Sequence, residues 1–237
     1  MAVMGHVTRA STHFCLRFLV RRRNMDKLKS FEKIKVDCLS RADLSRKGSI
    51  DEPIKDLVEL INSNPFYYTT STCSGRVSLI EKPREYAGRK KGNPIHLNSH
   101  QLIDIDEILS AIQNFKSRAQ QESIIGDSCL WMKFEPFILH VQCFDLSKAK
   151  DLLDIALSIG CRNSGITLGK GGKFMVAVRS TSALEVPISC DNQFEDLRLD
   201  YIRFLWTECN RRLEQNFTRL DRFKSELFEL LKSSLKT

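Results

Sequence analysis

Residues 69–76 read Thr-Thr-Ser-Thr-Cys-Ser-Gly-Arg, and five of the eight side chains are hydroxyls. Such groups hydrogen-bond a ligand without filling the space it needs. Arg76 is suited to grip a phosphate or carboxylate through two parallel bonds. Gly75 admits a close backbone approach. Cys73 has two readings, a nucleophile or a buried, inert thiol. His140, in the apolar run FILHV, is either a hydrogen-bonded core histidine or a general base or ligand. In a strand, Thr69, Ser71 and Cys73 share one face and Thr70, Thr72 and Ser74 the other. Neither face is apolar, so at least one polar face lines a cleft. The plain alternative is an edge hairpin rich in Ser and Thr with a surface arginine.

Other chemistries find less support. LGKGGK (168–173) lacks the GxGxxG spacing and the strand–loop–helix setting of a nucleotide loop, and reads as a glycine hairpin. No acidic, glycine-rich strand end of the usual S-adenosylmethionine site is visible. The eight cysteines form no CxxC pair and the five histidines show no ligand spacing, so no metal site is expected. The thiols are expected to be reduced, as in an intracellular protein.

The elements that must position these residues follow from periodicity. Phe31, Ile34 and Leu39 predict a first helix over 26–41. Ser49 and Glu52 form a capping-box pattern for a helix whose Ile50, Ile54, Leu57, Val58 and Ile61 fall at helical spacing, and which ends over Asn62–Pro65. FYYTTSTC and RVSLIE predict two strands meeting at Ser74–Gly75. Residues 83–100 read as a basic loop. A helix over 104–120 uses Ile105, Ile108, Leu109, Ile112 and Phe115. CLWMKFEPFILHVQC predicts strand, broken at Pro136. A helix over 147–160 stops at Gly160. GITLG, KFMVAVRS and LEVPI predict three short strands. One long amphipathic helix, or two, closes the chain over 194–235, with Leu213, Phe217, Leu220, Leu227 and Leu231 on one stripe. The predicted class is α+β, with short, mostly antiparallel or mixed sheet and flanking helices.

With 237 residues and a 42% apolar share, the chain can form a substantial core, and global disorder is not expected. No apolar run is long enough for a membrane span. The net charge is +8, but residues 1–24 carry five arginines and no acid. Subtracting these five from 37 basic residues leaves 32 against 29 acidic ones, about +3, so charge alone gives weak support for nucleic-acid binding. The Arg-rich leader reads as a transit peptide or as an extension upstream of a start at Met25. Residues 25–237 are expected to form a single domain.

Four blocks carry a wider likeness: CLSRADLSRKGSIDEPIKDLVELIN, TTSTCSGRVSLIE, KFEPFILHVQC and CRNSGITLGKGGKFMVAVRSTSALEVPI. Together, over about residues 30–190, they resemble the tRNA wybutosine-synthesising protein 3 family. That family's pattern at the cysteine is S-x-S-S-C-x-G-R; Thr69 and Thr72 stand at two of its serine positions and keep the hydroxyls. The resemblance implies an S-adenosyl-L-methionine-dependent methyltransferase. Its target is N4 of the tricyclic wyosine-type base 3′ of the anticodon in tRNA-Phe. Given that chemistry, Ser71, Thr72, Cys73, Gly75 and Arg76 would grip base or backbone phosphate. His140 or Asp43 would be the general base. Asn163, Ser164 and Gly165 would serve the methyl donor, and Arg179 would complete the pocket. A cytoplasmic location is expected, or an organellar one if the leader is a transit peptide. A non-catalytic RNA-binding module, with the basic loop 84–91 as its contact, or a scaffold acting through the long helix, remains open. Neither would bind the methyl donor.

Overall fold

Eight strands form two separate four-stranded sheets, and one 36-residue helix lies across both. The computed structural model describes residues 25–41, 48–83, 93–121, 128–190 and 198–234. Asp43, the loop 84–91 and the leader therefore lie outside the described residues. Helix α1 (25–39) is followed by a short 3-10 turn at Glu52–Ile54 and by α2 (Lys55–Ser63). Then come β1 (Tyr67–Cys73), β2 (Arg76–Pro83), β3 (Ile95–Ser99), α3 (Ile105–Gln121), β4 (Ser128–Glu135) and β5 (Ile138–Cys143). The chain continues through α4 (Leu146–Ser158), β6 (Gly165–Gly169), β7 (Lys173–Arg179), β8 (Leu184–Cys190) and α5 (Leu199–Ser234).

The first sheet has the order β1-β5-β7-β6 and the second β3-β2-β4-β8, and every pairing is antiparallel. The α+β class stands. The strands on either side of Ser74–Gly75, however, enter different sheets, as do those on either side of Pro136. Strand β3 lies where a loop is expected. It pairs with β2 along the sheet edge, and Pro94 immediately before it reads as a loop signal in the sequence.

Each sheet buries one face. Leu139, Val141, Val176 and Val178 of the first pack with Leu57, Val58 and Ile61 of α2 and Leu152 and Ala156 of α4. Val77, Leu79, Leu130, Met132 and Phe134 of the second pack with Ile108, Ile112 and Phe115 of α3. Helix α5, about 54 Å long at 1.5 Å per residue, joins the two cores. Ile202, Leu205, Cys209 and Leu213 enter the second; Leu220, Phe223 and Leu227 enter the first. Its buried stripe advances in steps of three and four residues, and Asn216, fully buried, occupies the stripe position between Leu213 and Leu220.

Two local expectations need correction. No capping box forms at Ser49, and Ile50, expected on the helical stripe, precedes the turn and is exposed. The turn starts after Asp51, and that residue's carboxylate makes no cap bond but reaches Ser74 instead. Cys129, expected to be a reduced thiol, is disulfide-bonded. Its backbone ladder partner across β4 and β8 is Cys190.

Candidate functional site

Three strands cross from one sheet to the other along a common seam. The first passes at Ser74–Gly75, with Cys73 opposite Ile138 on one side and Arg76 opposite Glu135 on the other. The second returns at Pro136–Phe137. The third passes between Arg179, opposite Ile138, and Leu184, opposite Phe134. Asn216 locks the seam from below. Its Nδ2 donates to the Ser74 carbonyl at 2.7 Å, and its Oδ1 accepts the Phe137 N–H at 2.7 Å. Gly75 has φ +92°, and a Cβ there would stand 2.8 Å from Asn216 Nδ2 and 3.1 Å from the Phe137 nitrogen. Only glycine meets both conditions.

Above the seam, the first sheet turns a face away from its core. Register places Ser71, His140, Ala177 and Gly165 in one row across all four strands. Cys73, Ile138 and Arg179 form the next row. The structure thus gathers Ser71, Cys73, His140, Gly165 and Arg179 on one face, with Ser164 beside them through a bond from the Arg179 N–H to its hydroxyl, 3.0 Å. Ala177 is small, and a Cβ at Gly165 would meet nothing within 4 Å. That end of the row is a low, open shelf, with His140 and Arg179 at its border. Asn163 is exposed at the turn leading into it.

Thr72 is not part of this face, because it lies opposite Leu139, whose side chain is in the core. A bulge between Thr69 and Ser71 also breaks the expected alternation. Thr69 is buried and bonds with Asn62 of α2, its N–H donating to Asn62 Oδ1 at 2.8 Å. The bulge rotates Ser71 and Cys73 onto the open face.

The electrostatics are specific. Arg179 Nη2 donates to His140 Nε2 at 3.2 Å. A guanidinium only donates, so Nε2 is the acceptor and the imidazole is neutral. Partial burial and the Arg179 charge hold His140 below the usual imidazole range. Burial pushes the Cys73 thiol up, outweighing the bond from the Gly75 N–H. Arg76 Nε donates to Glu135 at 2.7 Å, and Lys133 lies 3.0 Å from the same carboxylate. Burial alone would raise Glu135, but Arg76 and Lys133 hold it below the usual carboxylate range.

Sequence reasoning missed Asp51 and His100. Asp51 Oδ2 accepts the Ser74 N–H at 3.0 Å and lies 3.2 Å from His100 Nδ1. His100 Nδ1 stands 2.9 Å from the Gly75 carbonyl. Asp51, Cys73 and His100 hold their ligand-type atoms within 4.8 Å of one another, the one such group among the described residues. A carbonyl only accepts, however, so Nδ1 carries a proton and has no lone pair for a cation. The group is a hydrogen-bond cluster. No spacing signal links residues 51, 74 and 100; only the bare polarity of Asp51 ahead of an apolar helix pointed there.

The profile of the family described as Methyltransferase TYW3 matches residues 23–229. The tRNA wybutosine-synthesizing protein 3 homolog of Mus musculus is 41% identical over 209 residues, which cover 88% of this chain and 77% of that one. The tRNA wybutosine-synthesizing protein 3 of Schizosaccharomyces pombe is 33% identical over 201 residues, covering 82% of this chain and 83% of its own. Among solved structures, the PH1069 protein from Pyrococcus horikoshii is similar with a TM-score of 0.69 at 28% identity, over 84% of this chain and 97% of that one.

Proposed function

The chain belongs to the methyltransferase TYW3 family, and from that premise we propose that it methylates N4 of the tricyclic wyosine-type base 3′ of the anticodon in tRNA-Phe, using S-adenosyl-L-methionine. The observation that carries the site is the row Ser71–His140–Ala177–Gly165 on an open sheet face, bordered by Arg179. Its low end suits a flat ring system, which must leave the anticodon stack to be reached. The cytoplasm is the compartment we propose for the reaction.

S-adenosyl-L-methionine, when bound, supplies an electrophilic methyl group on a sulfonium. The chain's own task is mainly to hold donor and base in line, which can lower a barrier by about 7–11 kcal/mol. Asn163, Ser164 and Gly165 are the proposed donor contacts. The open space over Gly165 leaves the backbone there accessible to polar ends of the donor. Ser71, Cys73, Arg76 and Arg179 are proposed to contact the base and its phosphates, with Arg76 and Arg179 as the charged groups. The proton leaving N4 goes to His140 Nε2. A substrate phosphate that draws Arg179 away uncovers that lone pair.

The reading is tested on tRNA-Phe from cells that lack the protein, by mass spectrometry of the nucleoside beside the anticodon. The expected product is an intermediate lighter by one methyl group, restored when purified protein and donor are added. Unchanged wybutosine in a clean deletion would overturn the assignment. Calorimetry with the donor separates this reading from an RNA-binding module or a scaffold, neither of which takes up the donor.

A further inference from the structure

Three side chains remote in sequence hold the backbone of Ser74 and Gly75. Asp51 takes the Ser74 N–H, Asn216 binds the Ser74 carbonyl, and His100 gives its Nδ1 proton to the Gly75 carbonyl. Asp51 also faces the His100 ring, which orients it, and accepts from the Ser74 hydroxyl at 3.3 Å. Asp51 is buried, and His100 is only 18% exposed in its side chain. Asn216 is enough to fasten the two crossing strands to each other, since it bonds both. Asp51 and His100 hold the N–H and carbonyl groups on either side of that joint. They fix the rotation of the peptide planes between Cys73 and Arg76.

The direction of two side chains depends on those planes. Cys73 belongs to the open face of the first sheet, and Arg76 stands opposite Glu135 where the second begins. The side chain of Asp51 is also diverted from the N-cap bond its place before a helical turn offers. We infer that Asp51 and His100 are positioning residues for methyl transfer, acting through the Ser74–Gly75 backbone to aim Cys73 and Arg76 at the bound substrate. The inference rests on the methyl-transfer reading above.

The test compares His100→Ala, His100→Asn and Asp51→Ala in the full chain, with tRNA-Phe from cells that lack the protein and S-adenosyl-L-methionine as substrates. A displacement of about 1 Å at a reacting centre costs up to about a hundredfold in rate. His100→Ala is therefore expected to lower kcat by about ten- to a hundredfold, with both KM values changed less than about threefold. Asparagine puts an amide N–H close to where Nδ1–H stood, so His100→Asn should recover most of the rate. Asp51→Ala leaves the Ser74 N–H and the His100 ring without this carboxylate, and should resemble His100→Ala. Wild-type kcat in His100→Ala and Asp51→Ala would overturn the inference. So would a folded His100→Asn as inactive as His100→Ala, since the ring itself would then be taking a proton.

Amide hydrogen exchange at Gly75 and Arg76 supplies a second readout that needs no turnover. It should accelerate in Asp51→Ala while the α5 core stays protected, and unchanged exchange would overturn the inference even if His100→Ala did not fold. If wild-type protein transfers no methyl group to tRNA-Phe, the functional reading fails instead, and exchange alone decides whether the backbone clamp exists.

Discussion

Asn216 joins two strands that lie 63 residues apart, giving a proton to the carbonyl of Ser74 and taking one from the N–H of Phe137, each at 2.7 Å. Both ends of a fully buried amide are satisfied, at the point where α5 passes from one core to the other. Asn216→Leu would suit the apolar stripe, yet it leaves a buried carbonyl and a buried N–H without partners. Each such loss costs about 1–3 kcal/mol. The variant is expected to unfold about 5–15 °C lower, at about 2–4 °C per kcal/mol for a chain of this size. A melting temperature within about 1 °C of wild type would show that the seam does not depend on this amide.

Gly75 is tied to the same amide. Its φ of +92° is strained for any residue with a Cβ, and that Cβ would press on Asn216 Nδ2 at 2.8 Å. Gly75→Ala should cost about 1–3 kcal/mol from the backbone alone, and more from the contact. In the double variant with Asn216→Ala, the contact disappears while the backbone strain remains. The double-mutant cycle should therefore give a loss smaller than the sum of the single losses, by about 0.5–3 kcal/mol. Strict additivity would mean that the two residues do not press on each other.

Most elements were legible because their hydrophobic periods are local. The α5 stripe at Leu213, Leu220 and Leu227 and the strands around His140 follow from spacing alone. The division into two sheets did not. A period-2 pattern says that Cys73 and Arg76 lie in strands, but not that their partners, Ile138 and Glu135, belong to different ladders. The bulge after Thr69 shifts the alternation by one residue, so Thr72 turned inward where an open face was expected. Asn216 was hidden for a related reason, since a polar residue on an amphipathic helix reads as solvent-facing unless its exact place on the stripe is counted. The cluster of Asp51 and His100 depends on chain closure over 49 residues, which no local rule reports.

Cys73 tests whether the chemistry passes through a covalent enzyme adduct. Burial raises its thiol above the ordinary range, so it is protonated at neutral pH and a poor nucleophile. Direct displacement on a sulfonium methyl needs no such adduct. Cys73→Ser keeps a small hydrogen-bonding side chain at the position. It is expected to retain at least about a third of wild-type kcat, well within one factor of ten, or about 1.4 kcal/mol. Complete loss, with melting temperature and tRNA affinity intact, would establish a thiol step.

The last prediction concerns His140 and Arg179. Burial, with a further contribution from the Arg179 charge, holds His140 below its ordinary value of about 6.5. A proton acceptor works only when neutral, so the rate should fall as pH drops through the His140 pKa, and that limb should lie below pH 6.5. Arg179→Ala removes a positive charge that disfavours imidazolium and leaves the burial unchanged. The pKa then rises, and the acid limb of kcat should move to higher pH. Arg179→Lys keeps a charge and should leave the limb nearly where it was, even if weaker substrate contacts lower the overall rate. His140→Asn should abolish the limb along with most of the activity. Measuring kcat from pH 5 to 8 for the four proteins separates a change in level from a change in position. A limb that stays at the same pH in Arg179→Ala, or persists in His140→Asn, would assign proton removal to another group.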